Sequence, residues 1–306
     1  MSDSTASPAP LTVLISGAGG TIGTELQAQL HAAGHRVQTL VRHAPSSPDE
    51  HEWQPADGRL DPAVLDDVDA VVNLSGASIS RLPWTKAYQE EIRASRVSAT
   101  RTIVDAIASS SNPPRVLLNG SAVGFYGDRP AERLTEDSPR GAGFLAEVVE
   151  AWEAEAFHAP ADVRAATLRT GLVLAQAGAL APLRLLTNIG LAGRLGTGGQ
   201  VWPWISLRDE AAAIVHLLTS SVSGPVNLTG PEPVMADRLM RYLAKRMHRP
   251  YLVPAPEFLI RLALQEAGQE LLLSSQPARP EKLLADRFAF RDPTVELAID
   301  RLLAKS

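Results

Sequence analysis

The stretch SGAGGTIG, from Ser16 to Gly23, follows the apolar run LTVLI and leads into TELQAQL. Three glycines at a strict spacing of three, Gly17, Gly20 and Gly23, stand where a strand-like run meets a helix-like one. Glycines at such a junction permit a tight turn, let bare main chain approach a pyrophosphate, and allow the helix to pack closely on the strand. The helix tip then presents unpaired N–H groups and a positive dipole end to phosphates. Ile22, Leu26 and Leu30 fall on one helical face that stops at Gly34, so the motif opens a helix inside a βαβ unit of suitable length. That context favours nucleotide binding over a purely structural turn.

Further along, short β-rich runs alternate with segments of helical period, the pattern of a parallel sheet with crossover helices. LTVLIS, RVQTLVR, DAVVNLSG, RVLLNGSA and VRAATLRTGLVL read as strands. They are mostly continuous apolar runs, as expected of a sheet covered on both faces. Leu145, Val148, Val149, Trp152 and Ala156 form a stripe that packs a helix on that sheet. After about residue 175 the texture changes. GALAPLRLLTNIG is helical, GRLGTGGQVWPWI is a glycine-rich loop entering a strand, and SLRDEAAAIVHLLTSS is a helix with Ser206 as its N-cap. GPVNLTG reads as one more strand, and the remainder is mostly helix stopped by prolines.

The end of the second strand reports on which nucleotide is bound. A site for NAD usually carries an acidic residue there, about twenty residues beyond the glycines, on the ribose 2′-hydroxyl. This chain has LVRH instead. Arg42, with help from His43, is suited to a 2′-phosphate, which makes NADP(H) the expected cofactor. The competing reading is an ordinary exposed arginine.

Composition excludes several classes. With a net charge of −5 and no basic stripe, nucleic acid is not an expected partner. No apolar run approaches the roughly 18 residues of a membrane span. No membrane association is therefore expected, and the N-terminus MSDSTASPAP has no signal-peptide pattern. The absence of cysteine removes disulfides and thiolate chemistry and suits a cytoplasmic location. His31 and His35 are separated by Gly34 and make a doubtful metal pair, so solvated histidines and no metal are expected.

With SGAGGTIG, VVNLSGA, LLNGSAVGFYGD and LRTGLVL in this order, the chain resembles the extended short-chain dehydrogenase/reductase superfamily. PWTKAYQEEIRASRVSATRTIVDAI, AWEAEA and the C-terminal RPEKLL and FAF narrow the likeness. They resemble the atypical branch called the NAD-dependent epimerase/dehydratase family, or nucleoside-diphosphate-sugar epimerase-like proteins, which ends in a small domain of unknown function. The resemblance implies that Gly17, Gly20, Thr21, Ile22 and Gly23 form the pyrophosphate loop. It implies that Ser75, Gly76 and Ala77 lie on the adenosine side of the cofactor, that Ser121 is the catalytic serine, and that Thr170, Gly171 and Leu172 flank the nicotinamide. Read from the residues alone, NLSGA and NGSA are also simply small residues ending buried strands.

The superfamily's catalytic Tyr and Lys, four residues apart, are missing. The residues four beyond Tyr88, Tyr126, Tyr242 and Tyr251 are Ile92, Pro130, Arg246 and Ala255, and no lysine occurs between Lys86 and Lys245. The family register puts Gly143 in the tyrosine's place and Glu147 in the lysine's. Tyr126 and Glu147 are the candidate substitutes, beside Ser121, against the simpler readings of a packed tyrosine and a solvated glutamate. An arginine that holds the diphosphate in sugar-nucleotide epimerases is replaced near Trp202. Trp84, Trp202 and Trp204 are therefore candidates for lining a flatter, apolar substrate, or else for packing the lobe on the sheet.

The expected architecture is an α/β, Rossmann-like doubly wound parallel sheet with a small, mainly helical C-terminal substrate lobe. A polar tail occupies residues 1–10, the NADP-binding domain residues 11–175 with 205–228 returning to the sheet, and the lobe residues 176–306. The expected function is an NADP(H)-dependent oxidoreductase or epimerase-like enzyme acting on a small carbonyl or hydroxyl substrate, with a homodimer as the candidate assembly. The rival expectation is a cofactor-binding sensor that has lost its chemistry.

Overall fold

The computed structural model describes residues 9–304. The expected tail over residues 1–10 therefore lies, except for its last two residues, outside the described part. The strands are β1 (Thr12–Ser16), β2 (Arg36–Val41), β3 (Glu50–Glu52), β4 (Ala70–Asn73), β5 (Val116–Ala122), β6 (Arg164–Thr170), β7 (Leu172–Leu174), β8 (Val201–Trp202), β9 (Trp204–Ser206), β10 (Gly224–Leu228) and β11 (Val234–Met235). The helices are α1 (Thr21–Ala32), α2 (Lys86–Ser109), α3 (Phe144–Ala156), α4 (Ala181–Asn188), α5 (Leu207–Thr219), α6 (Ala236–Arg246), α7 (Glu257–Gly268), α8 (Glu281–Ala285) and α9 (Val295–Ala304).

Seven strands form one parallel sheet in the order β10-β6-β5-β4-β1-β2-β3. The chain leaves β1 toward β2 and β3, then returns to place β4 on the other flank of β1. The order in which strands are added therefore reverses between β1 and β4, where a doubly wound fold opens its ligand crevice. Strand periodicity sorts the core into two layers. Val13 and Ile15 face one side with Val72, Leu118 and Leu168, against Leu26 and Leu30 of α1 and Ile214 and Leu217 of α5. Leu14, Val71 and Leu117 face the other side, against Ile103 and Ile107 of α2.

Two elements depart from expectation. The run from Val163 to Leu174 is not one strand: it breaks at Gly171 into β6, in the main sheet, and β7, which pairs with β9. The Gly171 N–H bonds to Leu228 O and the Leu172 N–H to Pro203 O, so the chain changes sheets there. β3, with the polar sequence Glu-His-Glu, pairs in parallel with β2 at the sheet edge.

The C-terminal lobe has its own core, built from Trp202, Trp204, Leu239, Leu243 and Ile299. Ser206 does cap α5, its Oγ accepting the Asp209 N–H at 3.1 Å. The Asp209 carboxylate accepts the N–H groups of Arg291 and Asp292, both at 2.9 Å, and so fastens the C-terminal segment to the start of α5. His35, expected to be solvated, is buried and accepts the Leu11 N–H at 3.0 Å. Together these features make a Rossmann-like doubly wound sheet with a helical C-terminal lobe.

Candidate functional site

The ligand edge is built around Gly17 and α1. Gly17 has φ of +73°, and a side chain on it would lie 2.7 Å from Leu74 O of the turn after β4. A Cβ on Gly23 would lie 2.5 Å from Gly17 O, so helix and loop touch main chain to main chain. Gly20 stands at the N-cap of α1 and no side chain caps the helix. The first-turn amides of Thr21, Ile22 and Gly23 are left to an outside acceptor, which is the anion-binding arrangement of a helix tip. A cleft of about 560 Å³ opens beside it, lined among others by Gly19, Gly20, Thr21, Ala175, Ser206 and Arg208.

Arg42 follows β2 directly, one strand over from the loop, since Leu40 pairs with Ser16. It is exposed, and no carboxylate engages its guanidinium among the described residues. His43 is exposed beside it, its Nδ1 2.9 Å from Ala44 O. The Ser75–Ala77 turn is held from behind by Arg96, whose Nη1 donates to Ala77 O at 3.1 Å and to Ile92 O at 3.0 Å. Arg96 also stacks on the Trp152 ring, and burial draws its pKa down to about 10.

A buried polar network ties the strand ends together. Ser16 Oγ donates to Asn73 Oδ1 at 2.6 Å, and Asn73 Nδ2 donates to Asn119 Oδ1 at 2.6 Å and to Thr100 Oγ1 at 3.0 Å. Asn73 Oδ1 also accepts the Ser75 N–H at 3.2 Å, so the network sets the turn that faces Gly17. These residues escaped the sequence reading, although an Asn inside each of VVNLSG and LLNGSA is a visible irregularity in an apolar run. Buried amides of this kind are retained when every donor and acceptor finds a partner.

Of the three residues expected to move protons, Ser121 and Tyr126 join one buried cluster and Glu147 stands apart on the surface. Ser121 is 5% exposed, and its Oγ donates to Glu153 Oε1 at 2.6 Å. Tyr126 is fully buried; its hydroxyl donates to Asn227 Oδ1 at 2.7 Å and accepts from Arg169 Nη1 at 3.0 Å. Burial raises its pKa above the usual phenol value, outweighing the Arg169 charge. The phenol is thus a core hydrogen-bonding group, and the reading of Tyr126 as a proton donor to substrate is corrected. Glu147 is exposed on α3 and pairs with Arg93 at 3.3 Å, a solvated surface contact rather than a buried base. The hub of the cluster is Glu153, which also receives Thr167 Oγ1 at 3.1 Å and both Nε and Nη2 of Arg169 at 2.8 Å.

The tryptophans are also corrected. Trp84, Trp202 and Trp204 are at most 6% exposed. Trp84 donates to Ile79 O at 3.0 Å and meets Phe144 edge-on, while Trp204 donates to Glu232 O at 2.9 Å. All three join structural layers and none forms an open apolar wall. At the nicotinamide end of the expected site, Thr170 Oγ1 donates to Glu210 Oε1 at 2.7 Å. Glu210 has no exposed surface, and burial pushes its pKa up to about 8. Gly171 and Leu172 form the sheet-changing bend described above.

Fold and glycine cradle define the class: a dinucleotide-binding α/β protein with its ligand edge between β1 and β4. The model of the NAD dependent epimerase/dehydratase family matches residues 13–229, and that of a domain of unknown function, DUF1731, matches residues 255–302. The chain belongs to the NAD-dependent epimerase/dehydratase family. It is 39% identical over 290 residues to the epimerase family protein Mb2239 of Mycobacterium bovis, spanning 94% of this chain and 96% of that one. Against the epimerase family protein YfhF of Bacillus subtilis it is 33% identical over 302 residues, with 96% and 98% covered. The human epimerase family protein SDR39U1, solved with NADPH, superposes with a TM-score of 0.89 at 27% identity, covering 97% of this chain and 100% of that one. Among the described residues no helix is long and apolar enough to cross a membrane.

Proposed function

We propose that the protein is an NADP(H)-dependent oxidoreductase or epimerase-like enzyme for a small carbonyl or hydroxyl compound. The observation that carries this reading is the pairing of an uncapped α1 tip with Arg42, an arginine without an acidic partner at the end of the neighbouring strand. In this reading the amides of Thr21, Ile22 and Gly23 hold the pyrophosphate and Arg42, with His43, grips the 2′-phosphate. Ser75, Gly76 and Ala77 border the adenosine side, positioned by Asn73 and Arg96. Thr170, Gly171 and Leu172 flank the nicotinamide, which when bound supplies hydride transfer. The NADPH in the human structure, whose chain covers nearly all of this one, supports the choice of coenzyme.

The reading of a binding protein without chemistry draws on one fact: Ser121 and Tyr126 are both committed to internal bonds. Calorimetric titration with NADPH and NADH, followed by NADPH oxidation against a panel of aldehydes and ketones, tests both. Tight NADPH uptake with turnover of at least one carbonyl class is expected. Uptake without turnover across a broad panel selects the sensor, and no uptake of either coenzyme overturns both readings.

A further inference from the structure

A carboxyl group from the C-terminal lobe reaches the ligand edge. α7 ends at Gly268 and continues as a π-helical turn over Gln269–Leu273. Such turns recur at functional sites because they present side chains that a regular helix would not. Ala267 and Leu271 anchor the turn in an apolar cluster with Trp84, Tyr88, Ile92, Leu145 and Val148. Glu270 is thereby set on the tip of α3, where its carboxylate accepts the backbone N–H groups of Phe144 and Leu145. Gly143, with φ of +117°, leaves the room: any side chain there would collide with Glu270 Oε1. The segment before it is tied to the turn after β5, the Gly141 N–H bonding to Phe125 O at 3.0 Å. Glu270 therefore stands at the C-terminal edge of the sheet, where ligands of this fold bind, and at the position that the tyrosine has vacated.

Resting on the oxidoreductase reading above, we infer that Glu270 is the proton-transferring group of this ligand edge, delivered by the lobe to the place left open at Gly143. In reduction, NADPH when bound would supply hydride to the carbonyl carbon, and the C=O π pair would move onto oxygen. The Glu270 O–H proton passes to that oxygen, leaving a carboxylate held by the two α3 amides; oxidation reverses every step. Burial, with the negative charges of Glu266 and Asp128, lifts the Glu270 pKa to about 7 against the two amide bonds. That value suits acid and base work near neutrality. The groups facing it are Glu266 from its own helix, which receives a hydrogen bond from Gln89 of α2, and Asp128, which accepts the Ser275 N–H at 2.8 Å. On the α3 side, Glu147 is engaged by Arg93.

The test compares wild type, Glu270→Gln and Glu266→Gln. Glutamine keeps an acceptor for the α3 amides and removes the proton. In the free protein, infrared titration is expected to find a carboxyl protonating near pH 7, absent from Glu270→Gln and shifted to lower pH in Glu266→Gln. With NADPH and a reducible carbonyl, the wild-type rate is expected to fall as pH rises through about 7. Glu270→Gln should lose about 100-fold or more and its pH dependence, with NADPH affinity unchanged. A Glu270→Gln rate and pH profile equal to wild type, or the same carboxyl titration near pH 7 in wild type and Glu270→Gln, overturns this assignment alone. Bound NADPH that no carbonyl oxidises in wild type overturns it together with the oxidoreductase reading.

Discussion

Arg169 on β6 lays its Nε and Nη2 against the two carboxylate oxygens of Glu153 on α3, each at 2.8 Å, with both side chains almost fully buried. The same guanidinium lies 3.6 Å from the centre of the Phe125 ring and bonds to the Tyr126 hydroxyl. One buried ion pair thus joins strand, helix and the turn after β5. Desolvation of Arg169 is the largest effect on its charge, yet the Glu153 contact reverses it and the guanidinium is held more firmly protonated. Replacing the pair outright with apolar groups need not destabilise a protein, but removing one partner leaves the other charged and buried. Arg169→Met is expected to cost about 3–5 kcal/mol in chemical denaturation. Arg169→Met combined with Glu153→Leu should recover a large part of that loss, and a double variant as unstable as the single one would mean the charges are not the reason.

Glu210 gives the fold a pH dependence of definite sign. Its carboxyl is fully buried and keeps its proton to about pH 8, whereas in the unfolded chain it ionises near the ordinary glutamate value of 4.5. Between those values the folded state binds more protons than the unfolded one. Stability from this group is therefore complete below about pH 4.5 and declines as pH rises toward 8, by up to about 1.4 kcal/mol per unit. Glu210→Gln is expected to flatten the fall in unfolding free energy between pH 5 and 8. Parallel curves for wild type and variant would show that Glu210 carries no such proton.

Arg42 is the residue expected to separate the two coenzymes. If Arg42 grips the 2′-phosphate as proposed, Arg42→Asp removes that charge-assisted contact and puts a like charge in its place. NADPH affinity is expected to fall about 10- to 100-fold while NADH affinity changes little or improves. Calorimetry of both coenzymes on both proteins decides the matter, and equal losses would mean that Arg42 does not read the phosphate.

What was legible in the sequence is what local chemistry dictates. Gly17, Gly20 and Gly23 stand out because spacing alone reports a strand-to-helix turn, and the strands announce themselves as apolar runs. β3 was illegible because Glu50, His51 and Glu52 carry no apolar signal and are strand only by pairing with β2. The tryptophans looked equally fit for a ligand wall or a packing seam, and only their burial against the lobe decides between these. The surroundings of Tyr126 and Glu270 were hidden for a further reason. Tyr126 meets Asn227 across 101 positions of chain, and Glu270 meets α3 from the far lobe, contacts that no window of sequence contains.

Gly23 offers a test of the cradle itself. Its missing side chain lets α1 start within van der Waals distance of the loop, and a Cβ there would stand 2.5 Å from Gly17 O, 2.7 Å from Ala18 O and 2.8 Å from Ala18 Cα. All three are main-chain atoms, so no side chain can swing away; relief requires the loop or the helix tip to move. Overpacking of this kind typically costs about 1–3 kcal/mol. The displacement falls on the amides that would face the pyrophosphate, so Gly23→Ala is expected to weaken NADPH and NADH alike, unlike Arg42→Asp. Thermal melting with and without each coenzyme would read both effects: a lower midpoint for the free protein, and a smaller upward shift on adding either one. A variant that melts lower yet gains the full wild-type shift would place the pyrophosphate somewhere other than the tip of α1.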